Sequence, residues 1–316
     1  MRVCLMIEGQ EDVSWDAWLK LAAACEDSGI EGLFRSDHYL SVFRAEQGGR
    51  GSLDAWATIN ALAAVTRRIR LGTMVSPATF RHPAVLAKMV TTADHVSGGR
   101  VDLGLGAGWH EPEHRAYGFP LPPAKTRMEV LAEQLEIVHG LWGPGPFVFK
   151  GRHYQLEGFE PTGALPKPVQ QPHPPIVLGG HGGPRSAALA ARWADEYNTV
   201  YVPADLCRQR RATVEKAFEE QGRDPRELTF SLMTGCVVGA SQQDVDRRIR
   251  AVSERTGRDW TEGDTSALVV GTVDQAVERL KAFEEAGVER VMLQHLAHED
   301  LDMVHLIGQE IAPAVA

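Results

Sequence analysis

The chain has 316 residues, 43% of them hydrophobic and 24% charged, with a formal net charge of -9. That balance argues against general affinity for nucleic acid or anionic membranes, and no 18-residue apolar run is present to span a bilayer. Cys4, Cys25, Cys207 and Cys236 form no CxxC pair, which speaks against structural zinc or a disulfide framework. The start, MRVCLMIEG, lacks a signal-peptide cleavage pattern, so the cytoplasm is the expected compartment.

Residues 3–8 read as a strand and 14–28 as an amphipathic helix carrying Trp15, Trp18, Leu19 and Leu21, ended by Gly29. Residues 30–35 form a second strand that stops at Ser36, Asp37 and His38. The loop 39–52, with Gly48, Gly49 and Gly51, suits a mobile lid. A helix over 53–65 and a third strand over 69–75 follow. The stretch RHPAVLAKMVTTADHVSGGRVDLGLGAGW, 81–109, organises the rest. It reads as a helix with Pro83 in its first turn, a stop at Ser97, Gly98 and Gly99, a strand over 101–105 buried on both faces, and a glycine-rich exit.

A helix over 125–141 comes next, and then the rhythm breaks. Residues 142–175 are rich in proline and glycine, with a possible hairpin in FVFKGRHYQL; the segment is too small for its own core and is expected as an insertion over the mouth of the fold. Strands over 176–178, 196–202, 228–238 and 288–296 alternate with helices, the last helix opening on the capping pattern Thr272-x-x-Gln275. Eight βα units predict a single α/β domain, a (β/α)8 barrel over 1–316 with the insertion after its fourth unit; a doubly wound sheet is the alternative.

In a barrel, chemistry sits just past the strand ends on one rim. Those ends offer Glu8; Asp37 and His38; Met74, Val75 and Ser76; Trp109, His110 and Glu111; Gly179 to Gly183; Asn198 and Tyr201; Gln294 and His295. Gly104, Gly106 and Gly108 do not complete G-x-G-x-x-G, because Trp109 stands where the last glycine belongs. GGHGGPRSAALAARWA has a better mechanical case: a strand runs into glycines and then into a helix N-terminus, whose amides can cradle a phosphate. His38 is either a proton donor on the rim or a hydrogen-bonded core histidine. His110 and His114 have four-residue spacing, but their prolyl and glycyl neighbours argue against a helix aiming both at one metal, and no metal is expected.

Taken together, MIEG, EGLFRSDH, RIRLGTMVSPATFRHPAVLAKM, SGGRVDLGLGAGW with EHRAYGFPLPP, FKGRHYQL, and IVLGG before ARWAD resemble the luciferase-like monooxygenase superfamily. Within it, they are most similar to the oxidoreductases that use the deazaflavin coenzyme F420. The resemblance covers most of the chain to about residue 200. It implies coenzyme contacts at Asp37, His38, Thr73, Met74, Val75, Gly106, Ala107, Gly108, Gly179, Gly180, His181, Gly182 and Gly183. A non-prolyl cis peptide at Met74–Val75 would buttress the ring. Relatives that oxidise a sugar phosphate carry glutamate where Trp109 stands, which puts that substrate in doubt and makes Glu111 the candidate substitute acid.

The first functional reading is hydride transfer between F420 and a small organic substrate, with His38 and Glu111 catalytic and Glu8, Trp109 and His110 shaping the substrate side. The second is a reduced-FMN monooxygenase using dioxygen, since a flavin carries nitrogen where the deazaflavin carries carbon. The third is a coenzyme-binding barrel without turnover. Relatives are commonly homodimers, so a dimer is expected by resemblance; substrate and direction stay open.

Overall fold

The computed structural model describes residues 1–43, 50–260 and 264–316. Eight parallel strands close into a barrel: β1 (Arg2–Ile7), β2 (Gly32–Arg35), β3 (Arg70–Thr73), β4 (Val101–Gly106), β5 (Ile176–Gly179), β6 (Glu196–Val200), β7 (Thr229–Gly239) and β8 (Arg290–Gln294). Each pairs with its neighbour in chain order, and β8 pairs with β1 in the register Met6↔Gln294, which closes the ring and removes the open edges of a doubly wound sheet. The helices α1 (Trp15–Asp27), α2 (Ala55–Val65), α3 (Pro83–Ser97), α4 (Glu111–Tyr117), α5 (Ala124–Trp142), α6 (Pro184–Trp193), α7 (Ala204–Glu220), α8 (Gln242–Thr256) and α9 (Val273–Glu285) account for most of the rest.

Local chemistry accounts for the element ends. Ser14 accepts from Ala17 N at 3.2 Å and starts α1. Pro83 lies in the first turn of α3, and Gly98, at φ +67°, ends it in the left-handed conformation. Thr272 N donates to Gln275 Oε1 at 2.9 Å at the start of α9, as the capping pattern predicts.

Side chains alternate along a strand, so every second residue points into the barrel and forms layers with its neighbours. Near the strand starts the layer is ionic: Arg290 donates to Asp102 at 2.9 Å and to Glu196 at 3.0 Å, and Arg70 pairs with Asp102. Above it Cys4, Met6, Phe34, Met74, Val177 and Met292 pack as an apolar layer, with Val75 and Met233 against it. Polar groups return at the strand ends. The barrel is plugged, and its open side is the rim.

Three local expectations change. The third strand is shorter than 69–75: it ends at Thr73, the Met74–Val75 peptide is cis, and Ser76–Pro77 then pairs with the end of β4. Residues 111–117 are helical, because Pro112 falls in the first turn, where no amide is needed. The 142–175 insertion does not lie over the mouth. Its hairpin, Phe149–Lys150 against Gln155–Leu156, is held on α5 through Glu133, which accepts from Arg152 N, His153 N and Tyr154 N. Further on, Asp94 of α3 accepts from Val169 N and Gln170 N. The insertion thus clads the flank formed by α3 and α5. Part of the expected lid, including Gly48 and Gly49, lies outside the described residues; of its remainder, Ser41 and Arg50 are anchored on Glu11.

Candidate active site

The ends of β2, β3, β4 and β5 touch one another through two residues. Ser76 Oγ donates to Asp37 Oδ2 at 2.6 Å. Val75 fills a hollow left by missing side chains: a Cβ on Gly106 would stand 2.8 Å from its Cγ2, and one on Gly179 would stand 3.3 Å from the same methyl. Thr73 Oγ1 donates to Gly104 O at 2.9 Å beneath them. Glycine is required here because Val75 and the neighbouring strand backbones occupy the space a side chain needs. Thr73, Met74, Val75, Gly106 and Gly179 therefore meet at one place, a floor at the barrel mouth on which Val75 is the central side chain.

Asp37 is buried beside this floor and is fully engaged: besides Ser76, it accepts two bonds from Arg81, which also pairs with Asp54. Arg81 was given no role by the sequence; its place before Pro83 at the start of α3 is the only signal. On the β5 side, Tyr197 Oη accepts from Gly182 N at 2.8 Å and lies 2.9 Å from Ser186 Oγ, fixing the turn from Gly179 to Gly183. Gly183 caps α6 without a side chain, no acidic residue stands in the first turn, and a Cβ on Gly183 would meet open space. His181 is exposed on this turn, Ala107 and Gly108 continue the β4 exit, and Gly108 has φ +79°.

His38 follows Asp37, and its Nδ1 donates to Glu113 Oε1 at 2.7 Å; the second oxygen accepts from Tyr39 N at 2.9 Å. Burial works against the charged imidazole, but the hydrogen bond and charge of Glu113, with Glu8 and Asp37 beyond, outweigh it and hold His38 above its ordinary value. His110 stacks edge-on against His38, ring centroids 5.7 Å apart, with Nε2 buried and unpartnered. Burial above all, resisted by Glu113 and assisted by the charge of His38, holds His110 below the ordinary value. Two neighbouring imidazoles are thus biased to opposite protonation states. Trp109, largely exposed, lies edge-on to His38 at 5.5 Å and borders the same opening.

The carboxylate beside His38 is Glu113, unassigned from the sequence, and not Glu111, the candidate substitute acid. Glu111 points to solvent and sits 3.8 Å from Arg115, whereas Glu113, completely buried, faces inward. A helix of seven residues turns positions 110, 113 and 114 to one side and 111 and 115 to the other. The same turn buries His114, whose Nδ1 donates to His110 O and whose Nε2 takes Thr79, so both its nitrogens are occupied.

Across the mouth, Glu8 lies at the end of β1. Gln10 Nε2 donates to it at 2.7 Å, and Gln294 Nε2 donates to its other oxygen. Each amide oxygen is in turn held by a hydroxyl, Ser36 on Gln10 and Tyr201 on Gln294. Tyr201 adopts φ +49°, uncommon for a residue with a side chain. Asn198, three residues before Tyr201, donates to Ser231 and leaves Oδ1 buried and unpartnered. His295 is buried behind the rim on Asp300 O rather than in the mouth.

The rim sits on a (β/α)8 barrel, and the family model for luciferase-like monooxygenases matches residues 3–290. The chain belongs to the luciferase-like monooxygenase family. Its relatives in that family span two coenzymes. An F420-dependent glucose-6-phosphate dehydrogenase of Amycolatopsis mediterranei is 33% identical over 300 residues, 90% of this chain and 81% of that protein. An FMNH2-dependent dimethylsulfone monooxygenase of Pseudomonas putida is 26% identical over 340 aligned residues, 97% of this chain and 90% of that one. Among solved structures, the monooxygenase RslO1 of Streptomyces bottropensis superposes with a TM-score of 0.83 over the full length of both chains at 24% identity, a likeness of fold. Among the described residues, no helix is long and apolar enough to cross a membrane.

Proposed function

We propose that this luciferase-like protein is an F420-dependent oxidoreductase that transfers a hydride between the deazaflavin and a small organic substrate. The observation that carries the reading is the His38–Glu113 pair at the edge of the Val75 floor: a proton held in place beside the floor that would back a planar ring. The higher identity to an F420-dependent relative than to an FMN-dependent one supports the deazaflavin. The bound coenzyme would supply the hydride donor or acceptor.

The chain's own residues fit such a group. Val75 and Met74 would back the ring, the open position at Gly183 with the first turn of α6 would take its phosphate, and Asn198 Oδ1 is a free acceptor below the mouth. Glu113 holds His38 above its ordinary value, which favours the imidazolium, and the ring would give its proton to the substrate atom that gains negative charge in a reduction. Glu113 fixes the ring of His38 by taking its Nδ1 hydrogen, which leaves Nε2 to face the substrate. Trp109 and His110, edge-on to the ring of His38, would border this proton path.

Titrating the purified protein with F420 and, separately, with FMN tests the reading. Saturable F420 binding with weak or absent FMN binding is expected. Tight FMN binding without F420 binding would overturn it in favour of a reduced-FMN monooxygenase, the reading to which the Pseudomonas putida relative points.

A further inference from the structure

Among the carboxylates at the mouth, Glu8 stands out by what it lacks. Asp37 is neutralised by Arg81, Glu113 by His38 and Glu11 by Arg50. Glu8, 8% exposed, has no ion pair among the described residues. Its partners are two amides, both turned so that their N–H groups point at it. Ser36 holds the oxygen of Gln10 and Tyr201 the oxygen of Gln294, so the donor direction runs inward from both ends of the chain Ser36–Gln10–Glu8–Gln294–Tyr201. A carboxylate with both oxygens accepting is kept as an acceptor with lone pairs to spare. A nearby guanidinium, that of Arg258, packs over the Phe43 ring, 5.4 Å from its centroid, instead of reaching Glu8. Through Gln294, Glu8 is linked to Tyr201 on the far wall of the mouth.

A mostly buried carboxylate with no counter-charge is costly unless a cation arrives. We infer that the substrate carries a protonated nitrogen, ammonium or iminium, that pairs with Glu8 across the mouth from His38. The inference rests on the mouth being the substrate site, as proposed above. The nitrogen supplies the missing positive charge and two or three N–H donors, which the free lone pairs of Glu8 accept. The nitrogen seated on Glu8 is a binding group, and the atom that receives the His38 proton is a different one, on the other side of the mouth. A neutral alcohol or ketone supplies a dipole and leaves the charge uncompensated, so Glu8 discriminates by charge as well as by hydrogen bonding.

The test is done on the full chain without coenzyme, so that it does not depend on which coenzyme binds. Calorimetry at pH 7.5 compares benzylammonium with benzyl alcohol, equal in shape and different in charge. At least tenfold tighter binding of benzylammonium is expected, and Glu8→Gln abolishes that preference. Gln294→Lys keeps Glu8 but supplies a tethered cation, and is expected to abolish the preference in the same way, which covers the case of a poorly folded Glu8→Gln. Equal affinities for the two probes, no binding of benzylammonium, or an undiminished preference in either folded variant would overturn the inference. Failure to bind F420 in the separate titration would instead remove the hydride-transfer reading and leave the amine preference standing.

Discussion

The Glu113 carboxylate lies 2.7 Å from Nδ1 of His38 and so ties the first turns of α4 to the end of β2. Because the same carboxylate also accepts from Tyr39 N, one buried side chain sets both the orientation and the charge of the histidine at the mouth.

Replacing Glu113 with Gln is expected to lower the titration of His38 and to reduce stability by about 1–3 kcal/mol, the usual loss when a buried hydrogen-bonded charge is removed. In the wild type, His38 is raised above 6.5, so its share of stability is complete below that value and fades as pH rises through the folded value. Glu113 is lowered from 4.5, so its share is complete above that value and is lost as pH falls. Imidazole NMR of His38 across pH reads the shift; an unchanged His38 titration in Glu113→Gln contradicts the coupling.

Acid should destabilise the protein through two other histidines. Burial, helped by the charges of Arg248 and Arg255, pushes His295 down to about 4; burial and Arg255 push His298 down to about 3. Both are almost fully buried. The unfolded chain takes up protons near the ordinary 6.5 and the folded one does not, so stability falls as pH drops below 6.5. At pH 5 each contributes a loss of ~2 kcal/mol. Urea midpoints at pH 7.5 and pH 5 measure it, and His298→Asn should flatten the difference.

The glycine hollow predicts a graded series. A Cβ on Gly104 would overlap the backbone oxygen of Thr73, which has no freedom to retreat, so Gly104→Ala should prevent folding or cost several kcal/mol. Gly179→Ala meets only the methyls of Val75 at 3.3 Å and should be far milder. Val75→Ala should retain the fold at a loss of about 1–2 kcal/mol and weaken coenzyme binding. Thermal melts together with coenzyme titration order the three; equal melting points for the two glycine variants would refute the hollow.

Tyr201→Phe removes the hydroxyl that holds Gln294 and should cost about 0.5–1.5 kcal/mol, while loosening the amide that donates to Glu8. The benzylammonium preference should fall several-fold without a matching fall in F420 affinity. A change confined to F420 binding would place Tyr201 in the coenzyme site instead.

The amino-acid order by itself determined the barrel and the cast of rim residues. Strands and helices are local periodicities of 2 and 3.6, and both the alternation of eight strands with helices and the glycines at strand exits are visible without contacts. Glu8, Asp37, His38, Tyr201 and Gln294 were legible as rim residues because a strand end fixes its own rim position.

The partners belonged to the tertiary structure. Helix α4 is too short to show a periodicity, so only its docking on β2 decides that Glu113, and not Glu111, meets His38. The course of residues 142–175 along α3 and α5 depends on hydrogen bonds to Asp94 and Glu133, distant in sequence and invisible in a proline-rich stretch without pattern. That Glu8 has no ion pair among the described residues is a property of the assembled mouth: whether a carboxylate is paired depends on which side chains the closed ring brings within reach, and no local pattern records that distance.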